Sequence, residues 1–279
     1  MSLMSHIERG RSVRPRRIMV YGTHGIGKST FGAMAERPVF IQTEDGLADI
    51  DAERFPLATD FKQVIEMLGA LYTEAHEYQT VVIDSLDWLE RMIHAKTCRD
   101  RGVKSIEDVP YAKGYIFALD AWREVLAGLD ALRSERGMQV VLIAHAAVEK
   151  FANPETETYD RYAPRLNKHA SALVQEWCDE VLFATYRVLT KSTDEGFNRK
   201  RIQGVGSGER VLKATERPAH VAKNRLGLPD ELPLDFRAYA ACRDGEAVEP
   251  ASDQPAGTNE PATDADPATQ ETTTHKQGA

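Results

Sequence analysis

The stretch Gly22-Thr23-His24-Gly25-Ile26-Gly27-Lys28-Ser29, together with the following Thr30, decides the fold of this chain. It satisfies every fixed position of the pattern G-x-x-x-x-G-K-[ST], whose glycines let the backbone curl so that amide N–H groups point at a phosphate. An apolar run typical of a strand precedes it at residues 17–21, and a helical pattern follows at 28–36, as a phosphate-binding loop requires. We therefore predict that residues 22–30 bind a nucleotide.

Two side chains of this loop are expected to act on the phosphates and on a metal ion. Lys28 is expected to reach the β- and γ-phosphates and so to assist catalysis, and Ser29 is expected to bind Mg²⁺. The second predicted metal-binding residue is Asp84, because it ends the apolar run Thr80–Asp84 in the manner of a Walker B strand. The predicted cofactors are therefore ATP and Mg²⁺.

Strand-like and helical patterns alternate along residues 17–187. Short apolar runs suit strands covered on both faces, and their alternation with helices indicates a mostly parallel sheet. The predicted strands are residues 17–21, 39–42, 80–84, 139–144 and 180–187, and the predicted helices are residues 28–36, 61–74, 86–98, 111–136 and 166–176. Residues 199–203 and 210–214 around a glycine-rich turn at 204–208 predict an antiparallel hairpin at the sheet's edge. The predicted fold class is α/β, with helices on both faces of the central sheet.

Composition divides the chain into three parts. Residues 1–16 are polar and basic and are predicted to form an N-terminal arm, and residues 17–242 are predicted to form an ATPase domain. Residues 243–279 are rich in Pro, Thr, Ala and acids and are predicted to be a disordered acidic tail, either a solubility tail or a segment that binds a protein partner. With eight acids against two bases, this tail carries −6 of the net charge of −8, so the charge does not exclude a nucleic-acid partner.

Other features of the composition bear on the compartment. No apolar run approaches the ~20 residues that span a bilayer, and the N-terminus lacks the apolar stretch of a signal peptide. The three cysteines, Cys98, Cys178 and Cys242, stand far apart and have no metal-site spacing. We expect no membrane partner, reduced thiols and a cytoplasmic location.

The residue after Asp84 bears on the class of ATPase. In AAA+ proteins a catalytic Glu normally follows the Walker B Asp, whereas Ser85 follows here. The chain instead resembles the RecA/RadA-type recombinase ATPases, and most of all the phage-encoded Sak-type single-strand annealing ATPases, which are often described only as phage nucleotide-binding proteins. The motifs that carry the resemblance are GTHGIGKS at 22–29, FIQTEDGL at 40–47, VVIDSLDWL at 81–89, VLIAH at 141–145 and KNRLG at 223–227.

The resemblance covers about residues 17–230 and implies a RecA-like P-loop NTPase core. It places the catalytic base after the second strand, at Glu44, with Asp45 as the alternative and Asp87 as a weaker one. An exposed loop acid is the other interpretation of Glu44. His145, at the end of the fourth strand, is expected to sense the γ-phosphate, although a lone histidine is more often structural.

Lys223 and Arg225 lie two residues apart late in the core. In this family such a pair projects across a subunit interface onto the neighbour's γ-phosphate, as an arginine finger does. The resemblance therefore implies a homo-oligomer, as a ring or a filament, with shared catalysis. The alternative is a solvated basic pair.

Single-stranded DNA is the partner that the resemblance implies. It places two DNA-contacting loops, at residues 99–111 and 146–165, where aromatic side chains interleave with cations as single strands require. The candidate residues are Arg99, Arg101, Lys104, Lys150, Phe151, Tyr159, Arg161, Tyr162 and Arg165. Four acids dilute the second loop, so a polar surface loop is the other interpretation.

The predicted function is therefore a Mg²⁺-dependent, DNA-stimulated ATPase that acts in phage-type recombination, inside the host bacterium if a phage encodes it. The length leaves no room for the extra domains of bacterial RecA or RadA, which favours annealing or accessory work over full strand exchange. The alternative is a helicase loader or a regulatory P-loop switch without recombinase activity.

Overall fold

The computed structural model describes residues 3–7, 9–10, 14–194 and 200–245. These residues form six α-helices and ten strands. The helices are α1 (Lys28–Ala33), α2 (Phe61–Thr73), α3 (Leu86–Arg101), α4 (Gly114–Glu135), α5 (Lys168–Trp177) and α6 (Phe236–Asp244). The strands are β1 (Arg17–Gly22), β2 (Pro38–Gln42), β3 (Glu53–Arg54), β4 (Thr80–Asp84), β5 (Gln139–Phe151), β6 (Tyr159–Pro164), β7 (Glu180–Asp194), β8 (Lys200–Lys213), β9 (Lys223–Asn224) and β10 (Glu231–Pro233).

The strands form one sheet in the order β10-β8-β7-β1-β5-β4-β2-β3, to which β6 adds on β5 and β9 adds on β7. The pairs from β7 through β1, β5, β4 and β2 to β3 are all parallel. The pairs of β8 with β7 and β10, of β9 with β7, and of β6 with β5 are antiparallel. The predicted mostly parallel sheet with an antiparallel edge is therefore confirmed.

Helices cover both faces of this sheet because side chains alternate along each strand. On β1, Met19 and Tyr21 pack into a core formed with α2, α3, α4 and α5. Ile18 and Val20 pack into a second core on the other face, which α1 and α6 close through residues such as Phe31. The fold class is the predicted one, a RecA-like P-loop NTPase core.

The antiparallel edge differs from its prediction. An antiparallel hairpin is present, but it is formed by β7 and β8, and the predicted glycine turn at 204–208 is wrong. Gly204 and Gly206 lie inside β8, opposite Thr190 and Val188 of β7. A glycine cluster favours a turn locally, but here the pairing with β7 keeps the chain extended. The segment that links the two strands, 195–199, lies outside the described residues.

The predicted loop at 146–165 is also a hairpin. β5 does not end near His145 but continues to Phe151, and β6 returns alongside it with Phe151 opposite Tyr159. The predicted loop at 99–111 is partly helical as well, because α3 continues to Arg101. Both segments are therefore more ordered than the sequence pattern indicates.

The ends of the chain are described only in part. α6 ends at Asp244, so the last helix runs two residues beyond the predicted domain end at 242. The rest of the predicted acidic tail, 246–279, and parts of the predicted basic arm at 1–16 lie outside the described residues. Every helix in the described part of the chain is too short or too polar to cross a bilayer.

Candidate nucleotide-binding site

The phosphate-binding loop leaves β1 at Gly22 and enters α1 at Lys28, as predicted. A Cβ on Gly22 would lie 2.3 Å from the carbonyl oxygen of Ala184, so only glycine fits where β1 passes β7. Gly25 and Gly27 have φ angles of 70° and 109°, a left-handed conformation that favours glycine. The loop is therefore shaped by its glycines.

Lys28 lies inside the curve of this loop. Its side chain is buried, and its ammonium donates to the carbonyl oxygens of Gly22 at 3.2 Å and Thr23 at 2.9 Å. Burial lowers the pKa of Lys28 because it penalises the charged form. A buried cation with only carbonyl partners is suited to receive a phosphate.

Ser29 and Asp84 meet although 55 residues separate them in the sequence. The Ser29 hydroxyl donates to the Asp84 carboxylate at 2.6 Å. Burial at the end of β4 raises the pKa of Asp84. Two hard oxygen donors beside a phosphate-binding loop fit Mg²⁺, which binds through a few protein oxygens together with substrate phosphates.

Glu44 is held beside this pair by the end of β4. The Thr43 hydroxyl donates to the Ser85 carbonyl at 2.7 Å and accepts from the Ser85 amide at 2.8 Å, which ties the two loops together. The Ser85 hydroxyl in turn donates to Glu44 at 2.9 Å. The alternative base, Asp45, is exposed and does not line the cleft. The catalytic role of Glu44 remains a prediction.

Asp87 and Arg165 surround His145. Asp87 lies 3.0 Å from His145 Nδ1, accepts from the His145 amide at 3.2 Å, and accepts from Arg165 at 2.5 Å. Burial alone would raise the pKa of Asp87, but the hydrogen bonds from His145 and Arg165 outweigh it and hold the pKa below its usual range. Asp87 is therefore a partner of His145 rather than a free base.

The His145 ring also contacts the phosphate-binding loop. It stacks on the ring of His24, with centroids 3.9 Å apart. Repulsion from His145 lowers the pKa of His24, and partial burial adds to the effect. The end of β5 is thus in direct contact with the loop, as its predicted sensor role requires.

Three groups here could hold a further metal ion, since oxygen or nitrogen atoms of Glu44, Asp87 and His145 all lie within 4.8 Å of one another. Arg165, however, already neutralises Asp87 through a close ion pair. The positive charge of Arg165 opposes a second cation at this point. Ser29 and Asp84 therefore suit a metal ion better than this group does, and their role as metal ligands remains a prediction.

The site opens into a cleft of about 520 Å³. It is lined by the phosphate-binding loop, Glu44, Asp84 and His145, and also by residues 46, 49 and 50 and by Arg210. Arg210 could not be expected here from the sequence, because only the pairing of the antiparallel edge brings β8 to the loop. Arg165 is one of the predicted DNA-contacting residues; its guanidinium lies beside His145, and its contact with DNA remains a prediction.

Lys223 and Arg225 lie at the opposite end of the sheet. Lys223 pairs with Val181 near the start of β7, and its ammonium donates to three carbonyl oxygens at the C-terminal end of α5, at 2.7–2.9 Å. Arg225 is half-exposed and lies 3.5 Å from Asp179. Neither side chain lines the cleft of its own chain, so a role in catalysis requires a second subunit and remains a prediction.

The predicted DNA-contacting residues fall into two groups. On the β5–β6 hairpin, the Arg161 guanidinium lies over the Phe151 ring at 3.9 Å and pairs with Glu149 at 2.9 Å, while Tyr159 lies beside Phe151. Lys150 is exposed, and Tyr162 stacks on Phe183. In the other group, the exposed Arg99, Arg101 and Lys104 lie at and beyond the end of α3.

Comparison with known proteins identifies the family. The model of the AAA domain family AAA_24 matches residues 14–226. The SPbeta prophage-derived uncharacterized protein YorG of Bacillus subtilis (strain 168) is 26% identical over 233 residues, which are 79% of this chain; the chain spans 62% of that relative's length. The crystal structure of the RadB recombinase has a TM-score of 0.42 and 14% identity, over 81% of this chain and 90% of that one. That structural likeness is too weak to carry an argument, but the family match covers most of the chain. The chain therefore belongs to the AAA domain family AAA_24.

Proposed function

We propose that this protein is a Mg²⁺-dependent ATPase that acts on single-stranded DNA in phage-type recombination, as an annealing or accessory recombinase. The observation that carries the proposal is the continuity of β5, which runs from His145 at the phosphate-binding loop to Phe151 on an exposed hairpin. A strand that joins a nucleotide site to a surface with aromatic and basic side chains can couple the two. The likeness to a prophage-derived protein supports the phage setting.

In the proposed reaction, Lys28 binds the β- and γ-phosphates and Glu44 orients or deprotonates the attacking water. The Ser85 hydroxyl, which donates to Glu44, holds the carboxylate at the cleft. When bound by Ser29 and Asp84, Mg²⁺ would neutralise charge on the phosphates. A positioned carboxylate base contributes about 10²–10⁴-fold to rate, so this is a large share of the catalysis.

His145 is the proposed sensor in this reaction. Asp87 fixes the ring through Nδ1, and the stack on His24 places it against the loop. A change in the loop on hydrolysis would therefore reach β5 through this ring. Since Arg165, at the end of the hairpin, also binds Asp87, both ends of the hairpin are tied to the sensor.

The proposed DNA surface is the β5–β6 hairpin, assisted by the cations near the end of α3. Phe151 and Tyr159 offer ring faces for base stacking, and Lys150 offers an exposed charge for a phosphate. Arg161 is already paired with Glu149, so we assign it to holding Phe151 in place. Lys150 and Phe151 are therefore the first residues to test.

A homo-oligomer completes the proposal. Lys223 and Arg225 cannot serve the site of their own chain, because they lie at the other end of the sheet. Arg225→Ala mixed with Lys28→Ala tests action between subunits, since each variant lacks a different half of a shared site. Recovery of ATPase activity in the mixture is expected, and no recovery at any ratio rejects shared catalysis.

A second candidate function is a helicase loader or a regulatory switch without recombinase activity. Acidic residues on the hairpin favour it, because Glu149 and Asp160 lie opposite Arg161 and Lys150 and offset their charge. Such a surface suits a protein partner as well as it suits DNA. The two functions differ in whether single-stranded DNA binds at all.

Filter binding of single-stranded DNA across a salt series separates these functions. The recombination proposal expects binding that weakens as salt rises. Phe151→Ala should weaken it by about 5-fold to 100-fold, the value of one stacked base. Lys150→Ala should reduce the salt slope by about 0.7, whereas Lys62→Ala, which removes an exposed lysine on α2, should change neither. If single-stranded DNA does not bind at low salt, with or without ATP, the recombination proposal is rejected.

A further inference from the structure

We propose that Arg210 binds the phosphate chain of the nucleotide held by its own subunit, and sets affinity for ATP and ADP rather than the rate of hydrolysis. The inference rests on the proposed ATP binding and adds a second cation to it from an unexpected element. Arg210 lies on β8, in the antiparallel edge, more than 180 residues after the phosphate-binding loop in the sequence.

Arg210 lies close to the phosphate-binding loop. Arg210 lines the same cleft as Lys28 and Ser29. A Cβ placed on Gly27 would lie 3.2 Å from Arg210 Nη1, so the guanidinium lies close to the backbone of the loop. Gly27 is the residue at which the loop becomes α1, where its amide groups face a bound phosphate.

The direction of the Arg210 side chain is set by the sheet. Leu212, two residues along β8, packs into the core on the face that α1 covers. Because side chains alternate along a strand, Arg210 lies on that same face. Its backbone is fixed on both sides, by the pairing with Tyr186 and by a hydrogen bond from the Leu234 amide at 3.0 Å.

An irregularity of the hairpin adjoins this position. The register of β7 and β8 shifts between Tyr186 and Val188, and Gly208 has a φ of 75°. Such bulges twist a strand and redirect its side chains, and they are frequent beside active sites. Arg210 lies directly after the bulge, on the side nearer to the loop.

Among the residues that the structure describes, none compensates the charge of Arg210. No carboxylate of the described residues lies within ion-pair distance of its guanidinium, whereas neighbouring Arg187 pairs with Glu209 and Glu231. An uncompensated guanidinium in a cleft built for an anion is suited to a phosphate, which it can bind through two parallel hydrogen bonds. The ligand it would take is therefore a nucleoside di- or triphosphate.

The position of Arg210 relative to the loop indicates a role in nucleotide affinity rather than in the rate of hydrolysis. The first half of the loop, at His24, contacts His145, and Glu44 is reached from β4 through Ser85. Arg210 lies beside the second half of the loop, at Gly27. It thus approaches the phosphates from a side different from that of the groups proposed for hydrolysis.

Three variants test this inference through nucleotide affinity and steady-state kinetics. Arg210→Ala should raise the Kd for both ATP and ADP by about 10-fold to 100-fold, the value of a charge-assisted hydrogen bond. KM should rise in parallel, while kcat should stay within about threefold, the pattern of lost ground-state binding. Arg210→Lys should recover part of the affinity, because lysine keeps the positive charge but cannot form the two parallel hydrogen bonds of a guanidinium. Arg237→Ala, an exposed arginine on α6, should match the wild type.

The results separate the two proposals. If wild-type protein binds ATP and Arg210→Ala binds both nucleotides within twofold of it, the inference about Arg210 is overturned and nucleotide binding stands. A fall in kcat at unchanged Kd also overturns it, because Arg210 would then act on the transition state. Absence of nucleotide binding by the wild type overturns both. Far-UV circular dichroism of each variant checks that the antiparallel edge still folds.

Discussion

The two ends of the central parallel strands use their charged side chains in different ways. At the amino end, Asp179 is bound by Arg17 at 2.9 Å and lies within 4 Å of Arg133 and Arg225. Each of these three arginines therefore has an opposite charge within reach. At the carboxyl end, Lys28 has only carbonyl partners, and its cleft is open to solvent.

The pKa values of Asp179, Asp84 and Lys28 illustrate this difference, although burial also raises the pKa of Glu180 and lowers that of Lys223 at the amino end. Burial alone would raise the pKa of Asp179, but hydrogen bonds from Arg17 outweigh it and lower the pKa. At the other end, burial prevails: it raises the pKa of Asp84 and lowers that of Lys28. Charges that the chain itself does not compensate mark places where a ligand is needed. The comparison therefore assigns nucleotide binding to the carboxyl end, whereas Asp179 and its arginine partners stabilise the amino end.

Lys28→Ala should have the largest effect on ATP turnover, because it removes the buried cation inside the phosphate-binding loop. ATP turnover should fall by about 10³-fold or more, the cost of losing a preorganised group that binds developing charge. Phosphate release and equilibrium nucleotide binding measure this loss. Lys62→Ala is the matched control. A Lys28→Ala variant that turns over ATP at the normal rate contradicts the assignment of this end.

Glu44→Gln should keep nucleotide binding and lose hydrolysis by about 10²–10⁴-fold, since the amide cannot accept a proton from water. Single-turnover phosphate release alongside nucleotide titration separates the two. Asp45→Asn removes a carboxylate one residue away and should be active. Normal turnover in Glu44→Gln rejects it as the base, and a loss confined to Asp45→Asn moves the role there.

Lys223→Ala tests the amino end, where the account expects a loss of stability. Its ammonium binds three carbonyl oxygens of α5, and hydrogen bonds to a charged group contribute about 1.5–3 kcal/mol. The Tm should therefore fall by about 2–4 °C per kcal/mol for a domain of this size. Thermal unfolding measures the shift, with exposed Lys104→Ala as control. A lower kcat at unchanged Tm would instead assign Lys223 to catalysis.

Glu90 gives the smallest predicted effect and depends on pH. It accepts hydrogen bonds from the Asn167 amide at 3.0 Å, but burial raises its pKa to about 7. Between its usual pKa and 7 the folded chain binds a proton that the unfolded chain does not, so stability falls as pH rises through this window. Glu90→Gln keeps an acceptor for Asn167 and removes the titration.

The Tm of Glu90→Gln should therefore exceed that of the wild type by a few degrees at pH 8 and differ little at pH 5. Glu124→Gln, at an exposed position on α4, should show no such difference. Thermal unfolding at both pH values is the measurement. An equal difference at both pH values would mean that the substitution acts through packing and not through charge.

Local patterns in the sequence predicted the parts of the fold that local physics determines. The apolar runs gave β1, β2 and β4 to within one residue, since strands buried on both faces must be continuously apolar. The phosphate-binding loop follows from its own glycines. Asp84 and Glu44 could be placed near it because parallel strands bring their carboxyl ends to one edge.

Features that depend on distant partners were not predictable in this way. The glycine-rich residues 204–208 predict a turn, yet pairing with β7 keeps this segment within a strand. Arg165 lies near aromatic residues in the sequence, but its partner is Asp87, 78 residues earlier. Arg210 reaches Gly27 only because β8 joins the sheet beside β7. Each of these contacts is set by pairing between elements, which spacing along the chain does not encode.

Ser85 illustrates how a departure from a family pattern can be informative. Ser85 follows Asp84 at the position where the sequence comparison with AAA+ proteins leads one to expect a Glu. Here its hydroxyl donates to Glu44, on the neighbouring loop. A carboxylate thus lies beside Asp84 on the neighbouring loop, and its role as the catalytic base remains a prediction.

The most direct test of the central claim is the steady-state ATPase rate of the full chain in Mg²⁺, with and without single-stranded DNA, beside Lys28→Ala. We expect hydrolysis by the wild type that needs Mg²⁺ and rises when DNA is added, and none above background from the variant. If the rate of hydrolysis does not change when DNA is added, the ATPase assignment stands and the proposed stimulation by DNA is rejected. No hydrolysis by the wild type under either condition, or equal rates for wild type and Lys28→Ala, would contradict the account that the carboxyl end of the sheet is a catalytic ATP site.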